Sequence, residues 1–165
     1  MPASPFPLSC LAAALLLAVT ALAPVARAAP ASAEPVAAMD PAPAHPELRP
    51  VLEAFGGVDG LRLLMDDFMA RLIADPRTRE FFEFADQARV KQQLVEQFCV
   101  ILGGDCVYSG RSMAESHAGM DIRRDEFNAL VELLQAAMQA RDVPFAAQNA
   151  LLAKLAPMQR EVVTR

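Results

Sequence analysis

His117 is one of two histidines in the chain of 165 residues; the other, His45, lies in a proline-rich leader. It sits in the stretch from Gly103 to Ile122, GGDCVYSGRSMAESHAGMDI, with Met113 four residues before it and Ile122 five after. Zinc requires three or four ligands, so a lone histidine makes a poor zinc site. One metal task needs only one imidazole nitrogen, which is to hold haem iron from one side. The alternative is purely structural: a ring packed at a helix edge and bonded to a backbone carbonyl. The residue type by itself leaves both open.

Other chemistries find less support. Cys10 falls in an apolar leader, and Cys99 and Cys106 stand seven residues apart. That spacing fits neither a Cys-x-x-Cys redox motif nor a haem-attachment motif. In an oxidising compartment two thiols this close can pair; if the intervening turn holds their Cα atoms too far apart they stay free and buried. Gly56-Gly57 and Gly103-Gly104 lack the spacing and the lysine of a phosphate cradle. The formal charge is −5 and there is no Lys/Arg run, so nucleic acid is not an expected partner.

The composition divides the chain. Leu11 to Ala23 is an apolar run broken only by Thr20, and Ala26-Arg27-Ala28 gives a small-x-small cleavage pattern, so residues 1–28 read as an export signal. Export to the periplasm is the expected location. Met1 to Ser9 carry no Lys or Arg, and the alternative is an uncleaved membrane anchor over residues 8–26. Residues 29–46 are rich in Ala and Pro and read as a tether. Ten of the thirteen prolines lie at or before Pro50 while all seven glycines follow it, which puts the folded domain at 47–165. His45 is expected to be solvated in the tether.

Helical periodicity fills that domain. Pro46 opens a short helix carrying Leu48, Val51, Leu52 and Phe55, stopped by Gly56-Gly57. From Val58 to Ile73 one face holds Leu61, Leu64, Met65, Phe68 and Leu72, with Met69 at its edge. Pro76 suits a helix start, and the next turn ends with Phe81-Phe82. Asp86 caps a helix with Val90, Leu94, Phe98 and Ile101 on one side, ending at Gly103. Arg123 to Ala140 carries Phe127, Leu130, Val131, Leu134 and Met138. A last helix begins near Pro144 and presents Leu151, Leu152, Leu155, Met158 and Val162, with Pro157 expected to kink it. No period-2 stretch appears, so the fold class is all-α.

The spacing of these landmarks carries a resemblance. Phe55-Gly56-Gly57, Phe68, Asp75-Pro76, Phe81-Phe82, Gly103-Gly104, Tyr108, Gly110-Arg111, Met113, His117, Gly119-Met120, Ile122 and Phe127 together resemble the group I truncated haemoglobins, the short bacterial globins. Twenty residues separate Phe82 from Gly103 and twelve separate Gly104 from His117, both without a gap against the family. The resemblance covers residues 47–165. It implies a two-over-two helical sandwich around a haem, with His117 as the iron ligand. It also implies a ring environment of Phe68, Met69, Phe82, Val90, Leu94, Phe98, Met113, Ile122 and Phe127, and propionate contacts from Tyr108 and Arg111. An ordinary hydrophobic core would use the same residue types.

One departure from the family stands out. Group I globins usually place a tyrosine after the phenylalanine matched by Phe68, and its hydroxyl hydrogen-bonds the gas ligand; here Met69 stands there. The usual glutamine falls on Leu94 and the residue at the ligand gate on Val90, so the expected distal pocket is Met69, Val90 and Leu94, none of them a donor. Gln93 or Gln97, one helical step away, could turn inward instead. The expected function is reversible binding of oxygen, NO or CO, with NO dioxygenation as its enzymatic variant and a reductase as a further partner. The competing readings are an electron carrier with Met69 as sixth ligand and a haem-free helical interaction module.

Overall fold

The computed structural model describes residues 40–165, all helical or irregular, with no strand among them. The expected signal segment and tether residues 29–39 lie outside the described residues. A 3₁₀ turn, Pro46–Leu48, leads into α1 (Arg49–Ala54). Then follow α2 (Gly57–Ala74), α3 (Arg79–Phe82), α4 (Gln87–Ile101), α5 (Met113–His117), α6 (Arg124–Ala140), α7 (Phe145–Leu155) and α8 (Gln159–Val162). No helix among the described residues is long and apolar enough to cross a membrane.

The centre of the fold is α2, which buries Leu61, Leu64, Met65, Phe68, Met69 and Leu72. These recur at one-turn intervals and make a single apolar face. Each such side chain contributes about 1.5–3 kcal/mol on burial. That face packs against α4 and α6, while α6 and α4 both touch α7. Lys91 on α4 and Asp66 on α2 add an exposed ion pair at 2.6 Å.

The end of α2 is closed by side chains. The last carbonyls of a helix lack intrahelical donors. Here Thr78 Oγ1 donates to the Leu72 carbonyl at 2.7 Å, and Arg79 donates to Ile73 and Ala74 at 2.8 and 3.0 Å. Pro76 therefore lies in the turn, and the helix begins three residues later than the proline signal suggests. Asp86 caps α4 as expected, accepting from the Arg89 N–H at 3.1 Å. Pro157 interrupts the last helix, separating α7 from α8 by the 3₁₀ turn Ala156–Met158.

At the other end of α4 the chain must reverse to deliver α5. The Gly104 N–H donates to the Cys99 carbonyl at 2.8 Å and the Gly103 N–H to Val100 at 3.0 Å, the paired bonds of a Schellman stop. Gly103 has φ +74°, and a Cβ there would lie 2.6 Å from the His45 carbonyl oxygen. Only glycine fits. A disulfide between Cys99 and Cys106, with Cα atoms 6.0 Å apart, staples the loop to the helix it has just left. Ser109 extends the seam by donating from both N–H and Oγ to Glu96, at 2.9 and 2.7 Å.

Residues assigned to the tether reach the domain. Ala42 is buried, and His45 is half-buried with its Nδ1 3.2 Å from Glu47. His45 is thus not the freely solvated side chain that its proline-rich setting suggests, because the close passage over Gly103 holds its backbone down.

Intact-mass measurement should show a gain of two hydrogens per chain on reduction, and replacing both cysteines with alanine should lower stability by about 2.5 kcal/mol, the closure term for a loop this short. Denaturant unfolding of oxidised and double-variant protein measures the difference.

Candidate functional site

α5 is a single turn and carries His117 at its last position. So short a segment does not hold a helical conformation unaided. Ser112 begins it with a reciprocal capping box: its Oγ accepts from the Glu115 N–H at 3.2 Å, and the Glu115 carboxylate accepts from the Ser112 N–H at 3.1 Å and hydroxyl at 2.8 Å. Buried Met113 anchors the turn in the core. His117 Nδ1 lies 2.7 Å from the Met113 carbonyl. A carbonyl can only accept, so Nδ1 carries the proton and the lone pair resides on Nε2. That tautomer is the one a metal-ligating histidine needs.

The ring borders two adjoining lobes of one cavity, of about 440 Å³ and about 420 Å³, a size range typical of cofactor sites. Phe82, Val90, Leu94, Met113, Phe127 and His117 wall both lobes. Phe68 and Phe98 line only the more apolar lobe, called inner for its lining, and Tyr108, Arg111 and Ile122 only the more polar one, called outer. The structure thus brings together almost the whole set expected from the sequence, from five helices and two loops.

Met69 is the exception. It is 4% exposed and packs in the core, but it lines neither lobe. Successive helix residues are rotated by about 100°, so with Phe68 and Leu72 facing the cavity, Met69 turns toward the α2 packing interface. Of the expected pocket of Met69, Val90 and Leu94, only the two α4 members line these lobes.

Several polar residues also wall the cavity, among them the two glutamines that the sequence offered as able to turn inward. Gln97, 4% exposed, lines both lobes, and its Nε2 donates to the Pro41 carbonyl at 2.6 Å. Gln93 and Arg89 line the outer lobe. Glu126 does so too, its carboxylate taken up by the Arg123 N–H at 2.8 Å and guanidinium at 2.7 Å. The helical phase of α4 that pointed to Gln93 could also have flagged Arg89, which flanks Val90. For Gln97 the same phase allowed an inward turn, but nothing local signalled its partner, a backbone carbonyl 56 residues away.

The polar groups gather at the outer lobe. The Tyr108 hydroxyl donates to the Arg111 carbonyl at 2.9 Å. Burial, and next the Glu96 carboxylate, push the Tyr108 hydroxyl above its ordinary pKa, so it remains a protonated donor at neutral pH. Arg89 and Arg111 form no salt bridge among the described residues.

An apolar slot, one imidazole with a committed tautomer and two cations at the mouth suit a haem, whose flat apolar ring carries two carboxylates at one edge. No cluster of three or more His, Cys, Asp or Glu among the described residues offers a competing metal site.

Comparison with known proteins gives a consistent result. A model of the bacterial-like globin family matches residues 50–164. A group 1 truncated hemoglobin from Mycolicibacterium paratuberculosis is 30% identical over 114 residues, covering 69% of this chain and 84% of that protein. One from Tetrahymena pyriformis is 29% identical over 60% of this chain and 82% of its own length. The Fe(III) structure of truncated hemoglobin from Tetrahymena pyriformis superposes with a TM-score of 0.62 at 28% identity, over 68% of this chain and 96% of that one. The fold also matches the 2/2 hemoglobin of Synechococcus sp. PCC 7002 in the cyanomet state with covalently attached heme, at a TM-score of 0.64 and 24% identity over 70% and 98% of the two chains.

The capping box makes a testable demand. Ser112→Ala should cost about 1 kcal/mol in denaturant unfolding at neutral pH. The Ser112 hydroxyl, followed by its backbone N–H, holds the Glu115 carboxyl below its ordinary pKa. A depressed carboxylate stabilises the fold fully above its unfolded-state pKa, and that contribution is lost as pH falls through the folded value. The Ser112→Ala penalty should therefore shrink on acidification, as repeated unfolding curves would show.

Proposed function

Because the chain belongs to the bacterial-like globin family, with a two-over-two helical fold and haem as its cofactor, we propose that it binds a diatomic gas reversibly and that His117 Nε2 is the one protein ligand to the iron. The observation that carries this reading is the 2.7 Å bond from His117 Nδ1 to the Met113 carbonyl. It leaves Nε2 as the free lone pair on a ring that borders both lobes. When bound, haem supplies an iron with a coordination position open to oxygen, NO or CO. The chain's part is to hold the ring, keep water out and set the polarity around the gas.

Val90 and Leu94 wall both lobes from α4 and carry no hydrogen-bond donor. A donor facing a bound gas that carries partial negative charge, as oxygen would, would contribute about 1.5–3 kcal/mol. Without one, release is faster by about ten- to a hundredfold, since about 1.4 kcal/mol is a factor of ten. CO, less polar when bound, is affected less. Arg89 and Arg111 serve the haem carboxylates at the rim, a weak contribution because both are exposed. The reading includes export, supported by the apolar leader and by the Cys99–Cys106 bond, which is characteristic of oxidising compartments.

Two experiments test it. His117→Ala should abolish tight haem binding while His45→Ala leaves it intact; an unchanged absorption spectrum in the His117 variant would end the assignment. In stopped-flow measurements the unaltered protein should release oxygen rapidly, and Leu94→Gln should slow release by about tenfold. Gln93 is the donor to watch, because it lines the outer lobe and makes no hydrogen bond among the described residues. Slow release from the unaltered protein that Gln93→Ala accelerates would overturn the apolar pocket.

A further inference from the structure

The segment Asp40–His45 precedes the part of the chain matched by the family model, residues 50–164, and yet it packs behind the cavity wall, against Gln97. Asp40 Oδ1 accepts from the Ala42 N–H at 2.9 Å, turning the segment inward, and Ala42 is buried. The Pro41 carbonyl accepts from Gln97 Nε2 at 2.6 Å. Further on, the His45 and Pro46 backbone crosses the α4 terminus so closely that a side chain at Gly103 would collide with it. This arm is docked at both ends.

Gln97 is what the arm holds. A buried amide is costly unless hydrogen-bonded, and a leucine or methionine would fill the same wall without that cost. Its Nε2 has two hydrogens. One serves Pro41, and the nitrogen also lies 3.8 Å from the sulfur of Met113 and 3.7 Å from that of Met158. Met113 is the first residue of α5, and its carbonyl is the acceptor that orients His117.

We propose that Gln97 is a positioning residue for His117, holding the single-turn α5 in place through Met113 and itself held by the Pro41 carbonyl of the arm. The proposal rests on the reading of His117 as iron ligand. Its physical basis is that α5 cannot fix its own orientation. The capping box secures the start of the turn, and Gln97 secures the side chain that anchors it. The arm, Gln97, Met113 and His117 form one contiguous chain of contacts from the N-terminal segment to the imidazole. Loosening any link lets the ring tilt and weakens its hold on the iron.

The test uses the full-length, haem-loaded protein in three variants. Gln97→Met keeps the side-chain volume and removes the donor. Ala42→Glu unseats the arm and leaves Gln97 unchanged. The third variant combines them. Two readouts apply: the iron–histidine stretching band of the ferrous protein by resonance Raman, and the rate of haem loss to a scavenging apoglobin. Both single variants should shift the band to lower frequency and speed haem loss by about three- to tenfold, the factor expected for one buried hydrogen bond. The combined variant should do no more than either alone, because both break the same chain.

An unmoved band in both single variants would overturn the proposal even if they unfolded more easily, since that would leave Gln97 a merely structural residue. Additive effects, or a response to Gln97→Met without one to Ala42→Glu, would equally overturn it, because the arm would then act separately. Failure of the underlying reading looks different: the iron–histidine band would survive in His117→Ala.

Discussion

The site depends on one hydrogen bond, from His117 Nδ1 to the Met113 carbonyl. It joins the two ends of a single helical turn and decides which ring nitrogen is free. Such a bond orients a side chain only if the turn itself is fixed, and one turn of helix has no stability of its own. The surrounding structure supplies what the turn lacks. Met113 is buried, Ser112 and Glu115 cap each other, and α8 packs alongside.

Delivering α5 to that place is a problem of chain reversal. α4 must stop abruptly and the next eleven residues must run back to the cavity mouth. The Schellman bonds at Gly103 and Gly104 end the helix, the disulfide pins Cys106 to it, and Ser109 docks on Glu96. The loop is thereby attached to α4 three times along the stretch that brings Tyr108 and Arg111 to the outer lobe. The tie to Glu96 also holds that carboxyl below its ordinary pKa, chiefly through the Ser109 hydroxyl, so a charged acceptor persists at neutral pH.

The charges divide by role. Arg77 bridges Asp75 and Glu132 at 2.8 Å each, and Arg123 takes up the Glu126 carboxylate that would otherwise face the outer lobe. An unneutralised carboxylate there would repel the acidic edge of a haem. With Glu126 neutralised and Arg89 and Arg111 without salt bridges among the described residues, the mouth is locally cationic on a chain whose formal charge is −5. Net charge alone would have hidden this.

Sequence by itself determined the helices, their order and most of the cavity wall. Helical periodicity is a local signal, so Leu61 to Leu72 on α2 and Phe98 and Ile101 on α4 were legible as inward faces. The landmark glycines and phenylalanines around His117 were legible through their spacing against a known family. The cap at Asp86 and the break at Pro157 were equally local and equally readable. Tertiary structure decided what depends on helix phase and on partners distant in sequence. Met69 stood at the edge of a stripe, where a rotation of about 100° per residue separates lining the cavity from packing against a neighbouring helix, and only the packed structure chose. Free or paired cysteines were both compatible with a spacing of seven; the Schellman turn settled the matter by bringing their Cα atoms to 6.0 Å. Gln97 and Pro41 lie 56 residues apart, and no periodicity or motif connects a glutamine amide to a backbone carbonyl at that distance, because every residue carries the same carbonyl and only the fold selects one.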